Sequence, residues 1–402
     1  MKFYLLLLIF ASYLVANPLQ EAIDTATPYS TLKLPSGTYK GNITINKPLT
    51  IIGKGKDVVI QGSAKGSVIT ITSSHVNIKN LTISSSGSRM DRIDAGISIK
   101  KAKQCEISSC KIIDCLYGID MDMLSNSVIK DNYITSKKFD LTLRGNALKM
   151  YYSNNNLIEN NMIENTRDVT LNYSNNNIFK ANIFKNNRFA THVSLSHNNT
   201  FDKNTYLYNS VSIMVMGAKE MKVFNNTIKS SKGAAGIGVV ITGVSNFIFE
   251  HNILKFNAKA IYIDGQEKAK GIKRYINYNE ISYNGEALHF HASIKDNTIT
   301  HNRIFGNIDD VVKDVEGNFA PSNIVEYNYW DRYAGFDRDG DNIGDHSHQV
   351  YQYADQLWHY NNKVKFFYGS PVMTLMNFLS NLAPFVEPNL IMEDAKPIFI
   401  SQ

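Results

Sequence analysis

Short stretches in which small or apolar residues alternate with polar ones run through the middle of the chain. Examples are Gly96-Ile-Ser-Ile99, Ala147-Leu-Lys-Met150, Ala260-Ile-Tyr-Ile263 and Ala287-Leu-His-Phe290. A period of two is typical of β-strands, because successive side chains point to opposite faces of a sheet. No helical pattern of period 3.6 appears between these stretches. The pattern predicts many short strands and no helix in this region.

An asparagine followed two residues later by an apolar residue recurs every 21 to 29 residues. The repeated asparagines are Asn132, Asn161, Asn182, Asn204, Asn226, Asn252, Asn279, Asn302 and Asn328. Cys110, 22 residues before Asn132, occupies the position of one further asparagine. A period in the low twenties indicates one structural unit per repeat. Three short strands joined by tight turns fill such a repeat, which is one coil of a parallel β-helix.

The repeated asparagines also predict how the coils are held together. Asparagine tolerates left-handed backbone angles, which suits a bend, and stacked amides can hydrogen-bond from coil to coil. A leucine-rich repeat has a similar period, but its Leu-x-x-Leu-x-Leu consensus is absent. We therefore expect an all-β fold, a right-handed parallel β-helix of about 10–12 coils over residues 17–330. A C-terminal extension would follow over residues 331–402.

The first 16 residues have the pattern of a secretory signal peptide. Lys2 precedes the apolar run Tyr4–Phe10, and Ala16 is a small residue suited to cleavage before Asn17. An uncleaved anchor is the alternative, although the run is short for a membrane span. The net charge of +6 is spread along the chain without a concentrated basic patch, which argues against a nucleic-acid partner. We expect the mature protein to lie outside the cytoplasm.

The chain has three cysteines, Cys105, Cys110 and Cys115, spaced five residues apart. An odd number argues against a disulfide framework. No Cys-x-x-Cys motif is present, so a cysteine metal site is the weaker interpretation. We expect three small side chains that fill the core at successive points of one coil.

Four aspartates, Asp337, Asp339, Asp341 and Asp345, alternate along a glycine-containing loop. Oxygen ligands at every second position suit Ca²⁺. The bidentate glutamate of an EF-hand is missing, so the loop is not of that kind. An acidic, solvated turn in which aspartates bond their own backbone explains the pattern equally well.

An uncharged stretch beginning at Ser370 predicts a short helix that Pro384 ends. Ser370 can cap it, and Pro371 suits the first helical position. At about 12 residues the helix is too short to cross a bilayer. It either packs on the last coil or docks into a groove of a membrane partner. The apolar positions expected to make that contact are Val372, Leu375, Met376, Phe378, Leu379 and Leu382.

Two C-terminal segments, together with the coils before them, resemble the NosD family. These are Asn328-Tyr-Trp-Asp331 with Asp337-Arg-Asp-Gly-Asp341, and Ser370-Pro371 with Ala383-Pro-Phe385 and Glu387-Pro388. The resemblance implies a non-enzymatic periplasmic protein that helps assemble the copper–sulfur centre of nitrous oxide reductase, receiving Cu(I) or a sulfur species. Implied partners are an ABC permease with its ATPase, a copper chaperone and apo nitrous oxide reductase. Membrane association would occur only through the permease.

Alignment of the coils suggests where soft metal ligands meet. Thr191-His-Val-Ser194 aligns with Ile213-Met-Val-Met216. If the valines point inward, His192, Met214 and Met216 share an outer face, and imidazole with thioethers suits Cu(I). His289 and His291 alternate outward roughly 14 Å further along the same face, given the sheet spacing, and form a separate copper candidate. Incidental exposure of these side chains is the alternative interpretation.

A secreted carbohydrate-active enzyme, a polysaccharide lyase or hydrolase, is the alternative function, because the fold also hosts such enzymes. They need paired carboxylates, or a carboxylate beside a base. Asp120 and Asp122 share an outer face, with Ser98 and Lys100 on one neighbouring coil and Lys149 and Tyr151 on the other. A solvated strand face explains them as well. A structural adhesin is a third alternative, but neither alternative needs the C-terminal segments, so we expect no catalytic residues.

Overall fold

The strands pair coil upon coil, and almost all pairings are parallel. The structure is a computed structural model that describes residues 17–264, 273–291, 293–314, 320–352, 363, 367, 370–382 and 389–399. Its main sheets form three columns, which we call columns 1, 2 and 3, and column 1 contains twelve strands. The predicted parallel β-helix is therefore confirmed. The predicted signal peptide lies outside the described residues.

Each column stacks equivalent strands of successive coils. Column 1 contains Ile43–Ile45, Ile69–Ile71, Ala95–Lys103, Tyr117–Ser125, Leu148–Tyr151, Asp168–Asn172, Phe189–Ser194, Val211–Met216, Ile237–Thr242, Lys259–Asp264, Glu286–His291 and Asp309–Lys313. Column 2 contains Val76–Lys79, Glu106–Ser108, Val128–Lys130, Leu157–Glu159, Ile178–Lys180, Thr200–Asp202, Lys222–Phe224, Phe247–Glu250, Arg274–Asn277, Asn297–Thr300 and Ile324–Glu326. Column 3 contains Thr82–Ser84, Lys111–Cys115, Tyr133–Ser136, Met162–Glu164, Ile183–Lys185, Thr205–Leu207, Thr227–Lys229, Ile253–Lys255, Glu280–Ser282, Arg303–Phe305 and Tyr329–Trp330. Two long strands, Thr31–Lys40 and Leu49–Gln61, join columns 2 and 3 at the N-terminal end.

The core is a continuous row of inward side chains. Val193 faces Val215 across neighbouring coils, and both are fully buried. In the middle of the molecule the rows become aromatic, and the rings of Phe179 and Phe201 stack at 5.0 Å between centroids. Because every second residue of each strand is buried in this way, the alternation in the sequence sets the register of the coils.

The predicted asparagine ladder is present between columns 2 and 3. In a typical step, Asn204 Oδ1 accepts hydrogen bonds from the backbone N–H of Asn182 at 2.9 Å and from its Nδ2 at 3.0 Å. Asn204 Nδ2 in turn donates to the carbonyl of Phe179 and to Asn226 Oδ1. The same link connects each repeated asparagine to the next, from Asn132 to Asn328. Cys110 occupies the preceding ladder position, as predicted, and its N–H donates to Asn132.

The prediction that the ladder asparagines themselves adopt the left-handed conformation is wrong. The left-handed residue is the one before each asparagine, for example Asp131, Lys203 and Tyr278, with φ of 56°, 55° and 57°. Because the chain turns one residue earlier, the asparagine side chain points inward. There it is buried and reaches the carbonyl of the preceding coil.

Two further sets of ladder asparagines were not recognised in the sequence. One precedes column 2, where Asn156 donates to Asn177 and Asn177 to Asn199. The other follows column 3 and includes the link from Asn257 to Asn284. Serine and threonine continue these ladders in several coils, which obscures the period in the sequence.

Separate elements cover the two ends of the β-helix. At the N-terminal end, helix α1 (Pro18–Thr25) buries Leu19 and Ile23, and Asn17 caps it. At the C-terminal end, strands His348–Gln352 and Asn389–Asp394 form an antiparallel hairpin, from which Ile391 and Met392 enter the core. Helix α2 (Pro371–Leu382) lies between these two strands in sequence, and a 3₁₀ turn spans Leu141–Leu143. The division at residue 330 stays a prediction.

The three cysteines are buried and free, as expected. Burial raises the pKa of Cys110 and of Cys115 to about 12, and it also raises the pKa of Cys105. Because the thiolate is the reactive form, we expect iodoacetamide to leave all three unmodified in the folded protein at mildly alkaline pH. In denaturant, mass spectrometry should find three modifications. Alkylation of any cysteine in the folded state would contradict this placement.

Candidate metal site on the outer face of column 1

His192 and Met214 are direct neighbours in column 1, and Met216 pairs with Ser194 in the same register. All three side chains alternate with buried residues and are themselves half-buried. The register predicted from the sequence is confirmed. We call this set the His/Met cluster.

The imidazole of His192 is unusual among the described residues. Its Nε2 is one of five buried side-chain polar atoms without a hydrogen-bond partner among the described residues. His289 Nε2 is another of the five, but it lies 3.1 Å from the Asp314 carboxylate, whereas His192 Nε2 has no such ion pair among the described residues. Burial lowers the pKa of His192, with the nearby Arg188 guanidinium adding to the effect and Asp168 opposing it, so the ring is neutral and keeps a lone pair. An unpaired buried nitrogen costs about 1–3 kcal/mol, which bond formation to a metal would offset. A neutral imidazole beside thioethers is a donor set that suits Cu(I).

A buried carboxylate organises the surroundings of His192. Asp168 accepts from Arg188 Nε at 2.9 Å and from Arg167 Nε at 3.2 Å. The Arg188 guanidinium lies 4.6 Å over the Phe189 ring, and that ring meets His192 edge-on at 5.4 Å. A register shift in column 1 between Asp168 and Thr170 re-aims these side chains. Sequence analysis missed this network, although arginines 21 residues apart around an aspartate were a usable signal.

The second copper candidate is part of an ion-pair network. His289 is only 2% exposed, although its strand position faces outward. Its Nδ1 lies 2.5 Å from Glu286 Oε2 and 2.8 Å from Lys259 Nζ, and its Nε2 lies 3.1 Å from Asp314 Oδ2. His291 Nδ1 contacts the other Asp314 oxygen at 2.7 Å. Copper would have to displace these carboxylates, so binding at His289 and His291 stays a prediction with less support than the His/Met cluster.

This network predicts a pH dependence. The carboxylates of Asp314 and Glu286 raise the pKa of His289 against the effect of burial, and His289 and Lys259 hold the pKa of Glu286 at about 2. A raised histidine pKa stabilises the fold fully below about pH 6.5, and this contribution is lost as the pH rises through the folded-state value. The lowered Glu286 pKa stabilises above about pH 4.5, and that contribution is lost as the pH falls toward 2. NMR titration should give His289 a pKa above 6.5, and a lower value would contradict the network.

The aspartate loop brings three of its four candidates together. Carboxylate oxygens of Asp337, Asp339 and Asp345 lie within 4.8 Å of one another, the one such group of three acidic, histidine or cysteine side chains among the described residues. Asp341 instead accepts from the Ile343 N–H at 2.8 Å. Asp337 accepts from the N–H groups of Gly340 and Asn342, as in a self-bonded turn. Calcium binding stays a prediction.

Helix α2 begins as predicted, with Ser370 Oγ accepting from Met373 N–H at 3.3 Å. Met373 is buried, whereas Val372, Leu375 and Phe378 are 65%, 55% and 56% exposed. Met376 and Leu379 are exposed as well, while the Leu382 side chain lies outside what the structure describes. Five apolar side chains of α2 are thus open to solvent. None of the helices in the described residues has the length and apolarity needed to cross a bilayer.

Of the two carboxylates considered for catalysis, Asp120 contacts the neighbours that were predicted for it. Asp120 is buried, forms an ion pair with Lys149 at 3.1 Å and accepts from Ser98 Oγ at 3.4 Å. Burial raises its pKa against the effect of Lys149. Asp122 pairs in register with Lys100 and Tyr151. The register matches the prediction.

A family model described as "Periplasmic copper-binding protein (NosD)" matches residues 130–335, just over half of the chain. The chain belongs to the NosD family. The matched range contains the His/Met cluster and the greater part of the asparagine ladder.

Two curated NosD relatives cover most of the chain. The "Probable ABC transporter binding protein NosD" of Pseudomonas aeruginosa is 25% identical over 386 residues, covering 88% of this chain and 84% of the relative. The protein of the same name from Stutzerimonas stutzeri is 24% identical over 387 residues, covering 91% and 86%. Both names describe a binding protein rather than an enzyme, in agreement with the expected absence of catalysis.

Solved structures similar to the NosD-family chain share its fold. The A-module of mannuronan C-5 epimerase AlgE6 from Azotobacter vinelandii has a TM-score of 0.61 at 16% identity, covering 78% of this chain and 93% of the module. A mannuronic acid specific family 6 polysaccharide lyase from human gut microbiota has a TM-score of 0.54 at 13% identity, covering 78% and 84%. At this identity the likeness concerns the β-helix alone.

Proposed function

We propose that this chain is a periplasmic accessory protein that receives Cu(I) as cargo at the His/Met cluster, for assembly of the copper–sulfur centre of nitrous oxide reductase. It works with an ABC permease and its ATPase and is held at the membrane through the permease. A copper chaperone supplies the ion, and apo nitrous oxide reductase accepts it.

The observation that carries the proposal is the buried, unpartnered Nε2 of His192 in register with Met214. The family description as copper-binding supports copper in general. The cysteines favour copper over a cysteine-borne sulfur species, because carrying sulfur as a persulfide needs an accessible thiolate and all three thiols are buried.

Cu(I) titration of the purified protein against a chromogenic chelator tests the site. Replacing His192, Met214 and Met216 together by alanine should lower the Cu(I) affinity by about 100-fold. A control with Met162→Leu and His251→Gln removes one thioether and one imidazole away from column 1 and should bind as the wild type does. Unchanged affinity in the triple variant would reject the site, and robust turnover of a polyuronate would reject the accessory role.

We propose that the exposed apolar face of α2 binds the permease. The five solvent-exposed apolar side chains fit a hydrophobic groove, and the names of both relatives refer to an ABC transporter. Deleting the chain from Ser370 onward is a poor test, because it removes Ile391 and Met392 from the core. Point substitutions in α2 leave the hairpin in place.

Leu375→Asp combined with Phe378→Asp should abolish co-purification with the permease and its ATPase. The physical reason is the cost of bringing two carboxylates into an apolar groove. Ile324→Asp is a matched control, since Ile324 is 52% exposed and lies on column 2. Retention of the permease by the double variant would show that α2 is not the anchor.

A further inference from the structure

A row of exposed apolar side chains runs along the corner where column 1 ends. It consists of Met123, Tyr152, Tyr173 and Leu195, which are 43%, 45%, 41% and 46% exposed. They occupy equivalent positions of four successive coils, since the strands before them are paired in register. We call this row the corner ridge. At about 4.8 Å per coil it is roughly 14 Å long.

The corner ridge ends beside the His/Met cluster. In the next coil the equivalent position is Gly217, the residue after Met216, and the Leu195 N–H donates to the Met216 carbonyl at 3.0 Å. One coil further the position is Gly243. The row of large side chains thus stops at the coil that carries the thioethers, where Gly217 and Gly243 have no side chains. The Leu195 side chain leans toward Gly217, so that a Cβ there would lie 3.0 Å from Leu195 Cδ2.

Three of the four corner segments that carry the ridge contain no charged residue, whereas the segment around Met123 contains Asp122, and Lys219 and Glu220 follow Gly217 in the next coil. Residues 151–155, 172–176 and 194–198 contain no Asp, Glu, Lys or Arg, although 19% of the chain is charged. Tyrosine, asparagine, serine, leucine and histidine make up these segments. Depletion of charge with enrichment in tyrosine and asparagine is typical of surfaces that bind proteins. An anionic polymer or membrane surface would require basic residues here.

The corner ridge is also held rigidly. The rings of Tyr152 and Tyr173 stack at 5.2 Å and 12°, and Tyr151 meets Tyr152 edge-on at 4.7 Å. Behind them, the N–H of Asn175 donates to Asn154 Oδ1 at 2.6 Å, and the N–H of His197 donates to Asn175 Oδ1 at 2.7 Å. A preorganised surface loses little entropy on binding. The two stacked rings turn their faces on each other and present their edges, so they offer a poor platform for a sugar ring.

The small area of the corner ridge restricts the kind of complex that a partner can form there. A stable dimer buries about 800 Å² on each partner, far more than four half-exposed side chains provide. A transient encounter needs less. Passing Cu(I) between two proteins is such an encounter, because the ion exchanges one set of ligands for another without a change of oxidation state, and this requires brief direct contact.

We infer that the corner ridge is the docking surface for the copper chaperone that delivers Cu(I) to the His/Met cluster. This inference rests on the proposed function and adds the place where its protein partner binds. The partner presents an apolar surface to the ridge and brings its copper ligands to Met216, beside Gly217. The ridge side chains themselves are not copper ligands.

The test compares two sources of copper. Tyr173→Asn with Leu195→Asn removes the ridge in the full chain, and asparagine tolerates the left-handed angles of both positions, as it does at Asn155 and Asn160. We expect about tenfold slower uptake of Cu(I) from a Cu(I)-loaded periplasmic copper chaperone of the same organism, and unchanged uptake from Cu(I)–glutathione. Tyr208→Asn, an equally exposed left-handed tyrosine at another corner, should change neither rate.

The remaining outcomes overturn the inference. Equal slowing with both sources would mean that the substitutions damage the cluster, and unchanged uptake from the chaperone would mean that it docks elsewhere. Binding of a neutral oligosaccharide such as cellohexaose that disappears in the double variant would assign the ridge to a glycan. If the wild type takes up Cu(I) from neither source, the proposed function is wrong, and the inference about the ridge fails with it.

Discussion

Replacing Asn204 by alanine is expected to destabilise the β-helix by about 4 kcal/mol. Asn204 is 1% exposed, so water cannot replace its hydrogen bonds. The substitution removes the side-chain acceptor of the Asn182 N–H and one hydrogen bond each from Asn182 Nδ2, the Phe179 carbonyl and Asn226 Oδ1. Asn182 Nδ2 keeps its bond to the Ile158 carbonyl, and Asn226 Oδ1 keeps its bond from the backbone N–H of residue 204. An unsatisfied buried N–H costs about 1–3 kcal/mol, and each further lost hydrogen bond costs about 0.5–1.5 kcal/mol.

Urea unfolding followed by circular dichroism measures this effect. Asn172→Ala is a suitable control, because Asn172 is a half-buried asparagine on the outer face of column 1, and it should change stability by less than about 0.5 kcal/mol. If Asn204→Ala were as mild as the control, the ladder would contribute register but little stability.

Replacing Asp394 by alanine is expected to cost about 3 kcal/mol and to loosen the C-terminal hairpin. Asp394 ends the ladder, and its Oδ2 accepts from the backbone N–H and Nδ2 of Asn328 and from Trp330 Nε1 at 2.9–3.1 Å. All three donors lie on buried residues. Without the carboxylate, the last coil loses three hydrogen bonds to the C-terminal hairpin, although backbone bonds such as that from the Ala395 N–H to the Val325 carbonyl remain.

Asp394→Asn separates the hydrogen bonds from the charge. Burial raises the pKa of Asp394 despite these bonds, so the charged form is disfavoured, and an amide oxygen can accept the same donors. We expect Asp394→Asn to be at least as stable as the wild type at neutral pH, where the wild-type carboxylate bears the desolvation cost. Hydrogen exchange of the Trp330 indole N–H should speed up in the alanine variant and stay slow in the asparagine variant. Fast exchange in both variants would show that the charge itself is required.

The sequence predicted the repeating parts of the molecule because each repeat obeys the same local rule. Alternation set the register that brings His192 beside Met214, and the spacing of Asn204 from its neighbours set the ladder. The prediction that asparagine itself adopts the left-handed angle was wrong because composition cannot distinguish a residue at a bend from the residue after it. Lys203 and Tyr278 carry no sequence signal for a bend.

The parts that escaped sequence analysis depend on contacts between distant residues. Asp394 lies 66 residues beyond Asn328, and the intervening segment has no repeat to count. The burial of His289 depends on Lys259 and Asp314, which lie on the two neighbouring coils and whose positions follow from three-dimensional pairing. The open face of α2 was foreseen as apolar, but only the structure distinguished buried Met373 from exposed Val372.

The asparagine ladder also gives the β-helix an electrical direction. In all eight asparagine–asparagine links the Nδ2 group donates toward the C-terminal end and the Oδ1 atom accepts from the N-terminal side. In the ninth link Asn328 Nδ2 donates to Asp394 Oδ2. The amide dipoles are therefore aligned head to tail, as peptide dipoles are in an α-helix, with their positive end at Asn328. Asp394 places its carboxylate at that end, where the aligned dipoles offset part of the cost of burying its charge. The ladder thus has a macrodipole of its own. Its polarity favours an acidic residue at the C-terminal end of the ladder and disfavours one at the N-terminal end.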